Sequence, residues 1–281
     1  MRCSNSGTIT NKFATSAATG IRVGGIVGNT MTATITDCTN SGAVKDESTG
    51  NGGYIGGIVG WIHTNKGVLT NCDNNGTVST TFNSETRTTK QNRQHAYIGG
   101  IVGGSNVEVV LINCDNNADI INKSPKSNTG AKTAIAGIAG FCNSHVTMTT
   151  CTTSGKIANE GTDTSNEFIG GLAGQIEANK TTKITGCTVN ADLTAKVAAR
   201  NGSNYSGLFV GRLTDLVDGS GDDATLSTTV SGSSVKGGSY NGTPITAENC
   251  GTYTFGHASD YGGQGLTKGK AYAMTGITFA E

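Results

Sequence analysis

Apolar residues recur along this chain in two patterns that return together every 32 to 43 residues. The first is a compact apolar and glycine segment. It reads RVGGIVG at Arg22–Gly28, YIGGIVG at Tyr54–Gly60 and again at Tyr97–Gly103, AIAGIAG at Ala134–Gly140 and FIGGLAG at Phe168–Gly174, with a degenerate YSGLFVG at Tyr205–Gly211. The second ends on a cysteine: ATITDC, GVLTNC, VVLINC, VTMTTC. There apolar and polar residues alternate with a period of two, the signature of a half-buried strand. A short polar turn follows each cysteine, and a branched aliphatic or leucine stands six positions on in every copy: Cys3 to Ile9, Cys38 to Val44, Cys72 to Val78, Cys114 to Ile120, Cys151 to Ile157, Cys187 to Leu193.

One unit therefore predicts a strand over IGGIVG, a second over VLTNC, a tight corner at DNNG, and a third over TVST. Asn-Ser-Gly and Asn-Asn-Gly are expected to supply the positive φ of that corner. Three short strands cannot bury a face alone, whereas stacked units pair each strand with its copy above and below. The predicted fold is all-β: a parallel β-solenoid of six to seven coils with three short strands per coil and an irregular C-terminal cap. Domain limits are read at 1–237 for the repeats and 238–281 for the cap or the start of a next module. Around the paired glycines the alternation fails, since Ile98, Ile101 and Val102 are all apolar. A bulge or burial on both faces accounts for that. A phosphate-cradling loop does not fit, because such a loop is used once or twice and opens a helix.

Composition narrows the picture. The 281 residues carry no net charge, so nothing draws the chain to nucleic acid or an anionic membrane. No apolar run approaches a membrane span, and no leader sequence is visible. The chain opens in mid-unit at RCSNSGTI, which is read as a boundary within a longer protein or an engineered start, with any signal peptide upstream. Eight cysteines would suggest disulfides in a secreted chain. Six of them share one repeat position, where stacked side chains point the same way. A column of reduced thiols packed as small hydrophobes is expected over rung-to-rung disulfides.

The string GGIVG, followed ten to thirteen residues on by C-x-N-x-G-x-[IV], resembles the GLUG motif repeats over about residues 1–211. Thr153 and Val189 replace the asparagine in later copies, and Leu208 replaces a glycine. That resemblance implies a stalk or adhesin-like segment of a large bacterial surface or secreted protein, with no catalytic residues. Host proteins or glycans and neighbouring modules would be its partners.

Candidate chemistry is sparse. Asp215, Asp218, Asp222 and Asp223 cluster in one glycine-containing loop and form a weak Ca²⁺ candidate. Their spacing fits neither an EF-hand nor the GGxGxD repeat, and a solvated acidic loop is the alternative. His63, His95, His145 and His257 stand singly. Trp61 and Phe141 share a repeat position with Asn29, Gly104, Gln175 and Arg212. So mixed a column is expected to be exposed, which makes Trp61, Phe141, His63 and His95 the weak ligand-binding candidates. The long connections Ser79–Ala96 and Asn122–Lys132 are candidates for a binding edge, with tolerated polar loops as the plainer reading. Two other functions compete with a non-catalytic adhesive segment. One is a β-helix polysaccharide lyase or hydrolase, which needs facing charged residues from adjacent rungs. The other is an ice- or surface-binding solenoid, which needs a regular threonine face.

Overall fold

The computed structural model describes residues 2–14, 20–49, 52–82, 95–125, 132–162, 166–177, 181–196, 200–201, 204–215, 217–218, 225–226, 228–250, 255–260 and 277–280. Among them there is no α-helix, and nearly all strand pairing is parallel and in repeat register. Tyr97 pairs with Tyr54, Ile98 with Ile55 and Gly99 with Gly56. Cys38 pairs with Cys3 on one side and Cys72 on the other. The chain is a parallel β-solenoid, as the repeat predicts.

Its coil differs from the expected three strands. IGGIVG is not one strand but two, broken by a bend after the first glycine: Gly53–Gly56 then Val59–Ile62, Ala96–Gly99 then Val102–Ser105. The first halves stack as one wall and the second halves as another. The cysteine-bearing strands, such as Ala33–Asn40 and Gly67–Asn74, form a third wall, which the short strands Val44–Asp46, Val78–Thr80 and Ile120–Asn122 continue around the corner. In the middle coils the strands on either side of the glycine bend are buried throughout, as at Ala96–Gly99 and Val102–Ser105, so burial on both faces explains the broken alternation. After residue 238, Phe255–Asp260 pairs onto Val210–Asp215 and Ile277–Phe279 onto Ser233–Val235, adding to two of the walls.

Between the walls lies one apolar core, which includes Ile55, Ile98, Ile135 and Ile169 of the first wall and Leu69, Leu111, Met148 and Ile184 of the third. All eight cysteines are thiols outside any disulfide, and seven are buried. The Cys72 thiol donates to the Thr70 carbonyl at 3.4 Å, with the Ile35 carbonyl of the neighbouring rung 3.6 Å away; Cys114 and Cys151 repeat the geometry. Thiols satisfied this way pack as small hydrophobes with a weak donor. Burial pushes the Cys38 thiol up, and pushes Cys142 up to about 12.

Two residues past the cysteine, the motif asparagine turns inward. Asn5, Asn40, Asn74 and Asn116 form a ladder in which each Nδ2 donates to the next Oδ1 at 2.8 Å. The same Nδ2 also donates to the carbonyl two residues on, at 2.9 Å for Asn40 and Asn74. Asn40, Asn74 and Asn116 are wholly buried, and every amide proton there has an acceptor. Against this ladder sits the second glycine of the bend. A Cβ at Gly57 would lie 2.1 Å from the Gly100 carbonyl and 2.3 Å from the Asn74 amide carbon. The paired glycines and the asparagine some seventeen residues later are thus two halves of one contact.

Positive φ does not fall at Asn-Ser-Gly. It falls on the residue before each cysteine: Asp37, Asn71, Asn113, Thr150 and Gly186, with φ of 55°, 53°, 50°, 51° and 62°. The third wall turns there, and Asn, Asp and Gly are the residues that tolerate that region. The glycine of Asn-Ser-Gly serves a close approach instead, since a Cβ at Gly42 would lie 2.0 Å from the Gly7 carbonyl.

Candidate functional site

The glycine bend folds the first wall towards the second on the outside of the solenoid. Outward side chains of the two walls therefore meet across a re-entrant angle and form a second apolar cluster of Trp61, Tyr97, Ala134, Phe141 and Phe168, with Tyr54 and Tyr205 packed against it. Ring centroids are 3.9 Å apart for Tyr54 and Trp61, and 4.5 Å for the stacked Tyr97 and Phe141. The column is mixed because it is a size-matched zipper. Gly104 leaves room for Trp61, whose ring would lie 2.8 Å from a Cβ there, and Ala134 stands in the rung that brings Phe141.

This overturns the exposure expected of Trp61 and Phe141, which are only 3% and 7% exposed. Their bulk is spent on packing, and neither presents a face to a ligand. His63 is exposed, with Thr64 Oγ1 3.2 Å from its Nδ1. His95 is half-buried, lies tilted against Tyr97 with ring centroids 5.3 Å apart and accepts the Lys132 backbone N–H at 2.9 Å. The two are not brought together with Trp61 or Phe141 as one site. His145 lies 3.4 Å from the Thr181 carbonyl, and His257 stands in the strand Phe255–Asp260. Of the calcium candidates, Asp215 ends the strand Val210–Asp215 and Asp218 the strand Val217–Asp218, while Asp222 and Asp223 lie outside the described residues. No group of three or more His, Cys, Asp or Glu suited to a metal occurs among the described residues.

What the repeat pattern hides is a polar cluster at one end of the zipper. Glu177 Oε1 accepts from Lys132 Nζ at 2.6 Å, Arg212 Nη1 at 3.0 Å and Gln175 Nε2. The Arg212 guanidinium lies 5.3 Å from the centre of the Phe168 ring, and Tyr205 stacks parallel to that ring. Lys132, Glu177 and Arg212 stand on three successive rungs and on both walls of the angle. Their side chains remain about a fifth to a quarter exposed, at 21%, 25% and 25%. Gln175 is wholly buried, and its Oε1 has no partner among the described residues. Sequence reading misses the cluster because its members lie 35 to 45 residues apart at differing repeat positions. Only Gln175 and Arg212, charged or polar where the column turns from aromatic, hint at it.

Residues 19–45 match the family model of the GLUG motif. The chain carries a GLUG motif. The matched segment covers one turn of the solenoid, from the start of the first wall through the asparagine corner to Lys45. The next turn pairs with it residue by residue and later turns pair with one another in the same way, so the structural repeat runs well beyond the matched segment. No curated protein and no solved structure matches the chain. No helix among the described residues is long and apolar enough to cross a membrane.

Proposed function

We propose that this GLUG chain is a non-catalytic structural and adhesive segment of a bacterial cell-surface or secreted protein, which contacts host proteins or glycans through its uneven loops. One observation carries the reading: as far as Thr182 the large differences in length fall at one corner of the coil, while the connection from second to third wall varies only from two residues (31–32) to four (63–66). First and second walls are always joined by the same short bend, as in Gly24 to Val27, Gly56 to Val59 and Gly99 to Val102. The connection into the first wall runs from Asp46 to Gly53 in one coil, Thr80 to Ala96 in the next and Asn122 to Thr133 in the third. Insertions that collect on one edge of a solenoid build its contact surface, while the ladders inside hold the rod to a fixed geometry.

The test is a glycan array and a host-protein pull-down with the purified chain. Residues 83–94 are then replaced by the short segment 49–51, which keeps Phe82 and His95 in place. The reading expects captured ligand to be lost or reduced in the shortened chain, with the melting temperature unchanged. Depolymerisation of an oligosaccharide by the purified chain would overturn the non-catalytic reading.

A further inference from the structure

The geometry points to the Lys132–Glu177–Arg212 cluster as a binding site for the oxyanion of an acidic glycan, a uronate carboxylate or a sugar sulfate. The proposal deepens the adhesive reading and rests on it. Two cations share one carboxylate oxygen here, so the cluster carries an excess positive charge in a half-buried setting. Charge in such a place attracts a counter-ion more strongly than a solvated surface pair does. Glu177 takes one of the three ammonium protons of Lys132 and one guanidinium N–H of Arg212, and among the described residues the remaining donors of both have no other side-chain acceptor. A guanidinium presents parallel N–H donors that match a planar carboxylate or a sulfate edge.

Two further features favour a sugar over a bare ion. The amide of Gln175 already gives its Nε2 proton to Glu177, and its buried Oε1 lacks a donor, which a sugar hydroxyl or a bridging water would supply. Tyr205, half-buried and stacked on Phe168, adds an aromatic ring at the margin of the charges. A few fixed polar groups beside aromatic surface is how small-ligand sites set orientation. The cluster also adjoins the uneven corner, since Lys132 closes the connection that starts after Asn122.

Titration calorimetry on the whole purified chain decides the matter, using trigalacturonate, a sulfated disaccharide, sodium sulfate and neutral maltotriose as probes. The proposal expects the two acidic sugars to bind, maltotriose not to bind, and sodium sulfate to compete. Arg212→Gln should weaken the acidic sugars by about tenfold or more. Glu177→Gln frees both cations and should tighten them, a gain that a damaged fold cannot imitate. Acidic sugars that fail to bind, or that bind both variants as they bind the native chain, would overturn the proposal. Capture of neutral glycans or a host protein alone would leave the adhesive reading standing and remove this site; capture of nothing would remove both.

Discussion

At the scale of single residues, three motif positions carry most of the specification, and each can be tested by a substitution of known sign. The second glycine of the bend admits no side chain: a Cβ at Gly100 would lie 2.1 Å from the Gly137 carbonyl and against the Asn116 amide. Backbone cannot yield as a side-chain tip does, so Gly100→Ala should cost about 3 kcal/mol by denaturant unfolding. Thr150 is a β-branched residue at φ 51° in a column otherwise filled by Asp, Asn and Gly. Thr150→Asn should raise stability by about 1 kcal/mol. Asp46 occupies a buried position beneath Asn11, whose Nδ2 donates to its Oδ1 at 2.8 Å. Burial raises its pKa, so the folded state holds the protonated form more tightly than the unfolded chain does. The stability this contributes is present at acid pH and is lost as pH rises through the shifted value. Asp46→Asn should therefore stabilise the chain at neutral pH by about 1–2 kcal/mol, with the gain shrinking as the solution is acidified. The glycines were visible in the sequence, but their partners were not. Nothing local links Gly57 to Asn74, and the positive φ at Asn71 in place of the Asn-Asn-Gly corner follows from the path of the wall.

Ladders are the working elements of this fold, and they explain why the motif survives in some copies and drifts in others. Each rung offers a hydrogen bond that only its neighbour can complete. Asn74→Ala would leave Asn40 Nδ2 short of an acceptor and Asn116 Oδ1 short of a donor inside the core. The loss should be about 2–3 kcal/mol, larger than for a surface asparagine. At Thr153 the amide ladder ends, with the buried Thr153 hydroxyl unpartnered among the described residues, and at Val189 the position is apolar; Asn116 turns instead to the Ser154 carbonyl at 3.4 Å. The cysteine column behaves as packing. Eight thiols should titrate in denaturant, while in the native chain only the half-buried Cys3 should react quickly. Cys142, on the second wall, adds a pH signature. Its folded pKa of about 12 exceeds the ordinary 9.0, so its share of stability is complete below pH 9 and disappears between 9 and 12. That share is about 4 kcal/mol, and Cys142→Ala should flatten the alkaline limb of a stability–pH curve by a comparable amount. Strand direction, register and the thiol column were legible because one repeat predicts the next. The division of IGGIVG into two strands was not, since a bend buried on both sides looks locally like one apolar run. The burial of Trp61 and Phe141 stayed hidden for the same reason, because it depends on that bend.

On the scale of the whole molecule, the chain is a rod of repeating ladders whose largest variation, as far as Thr182, lies at one corner and along one outer angle. Uniform ladders fix the spacing of rungs at about 4.8 Å, while the connections differ from coil to coil without disturbing the walls. The polar cluster at Glu177 was illegible in the sequence because it is assembled from three rungs across two walls, a relation that only the register defines. All of this stands on in-register stacking, which one distance tests directly. Ile112 pairs with Thr70 on one side and Thr149 on the other, placing those threonines two rungs apart, about 10 Å, despite their separation in sequence. Nitroxide labels at Thr70→Cys and Thr149→Cys, in a Cys3→Ser background, should show strong dipolar broadening by electron paramagnetic resonance. A doubly labelled spectrum equal to the sum of the two single-label spectra would contradict the solenoid register.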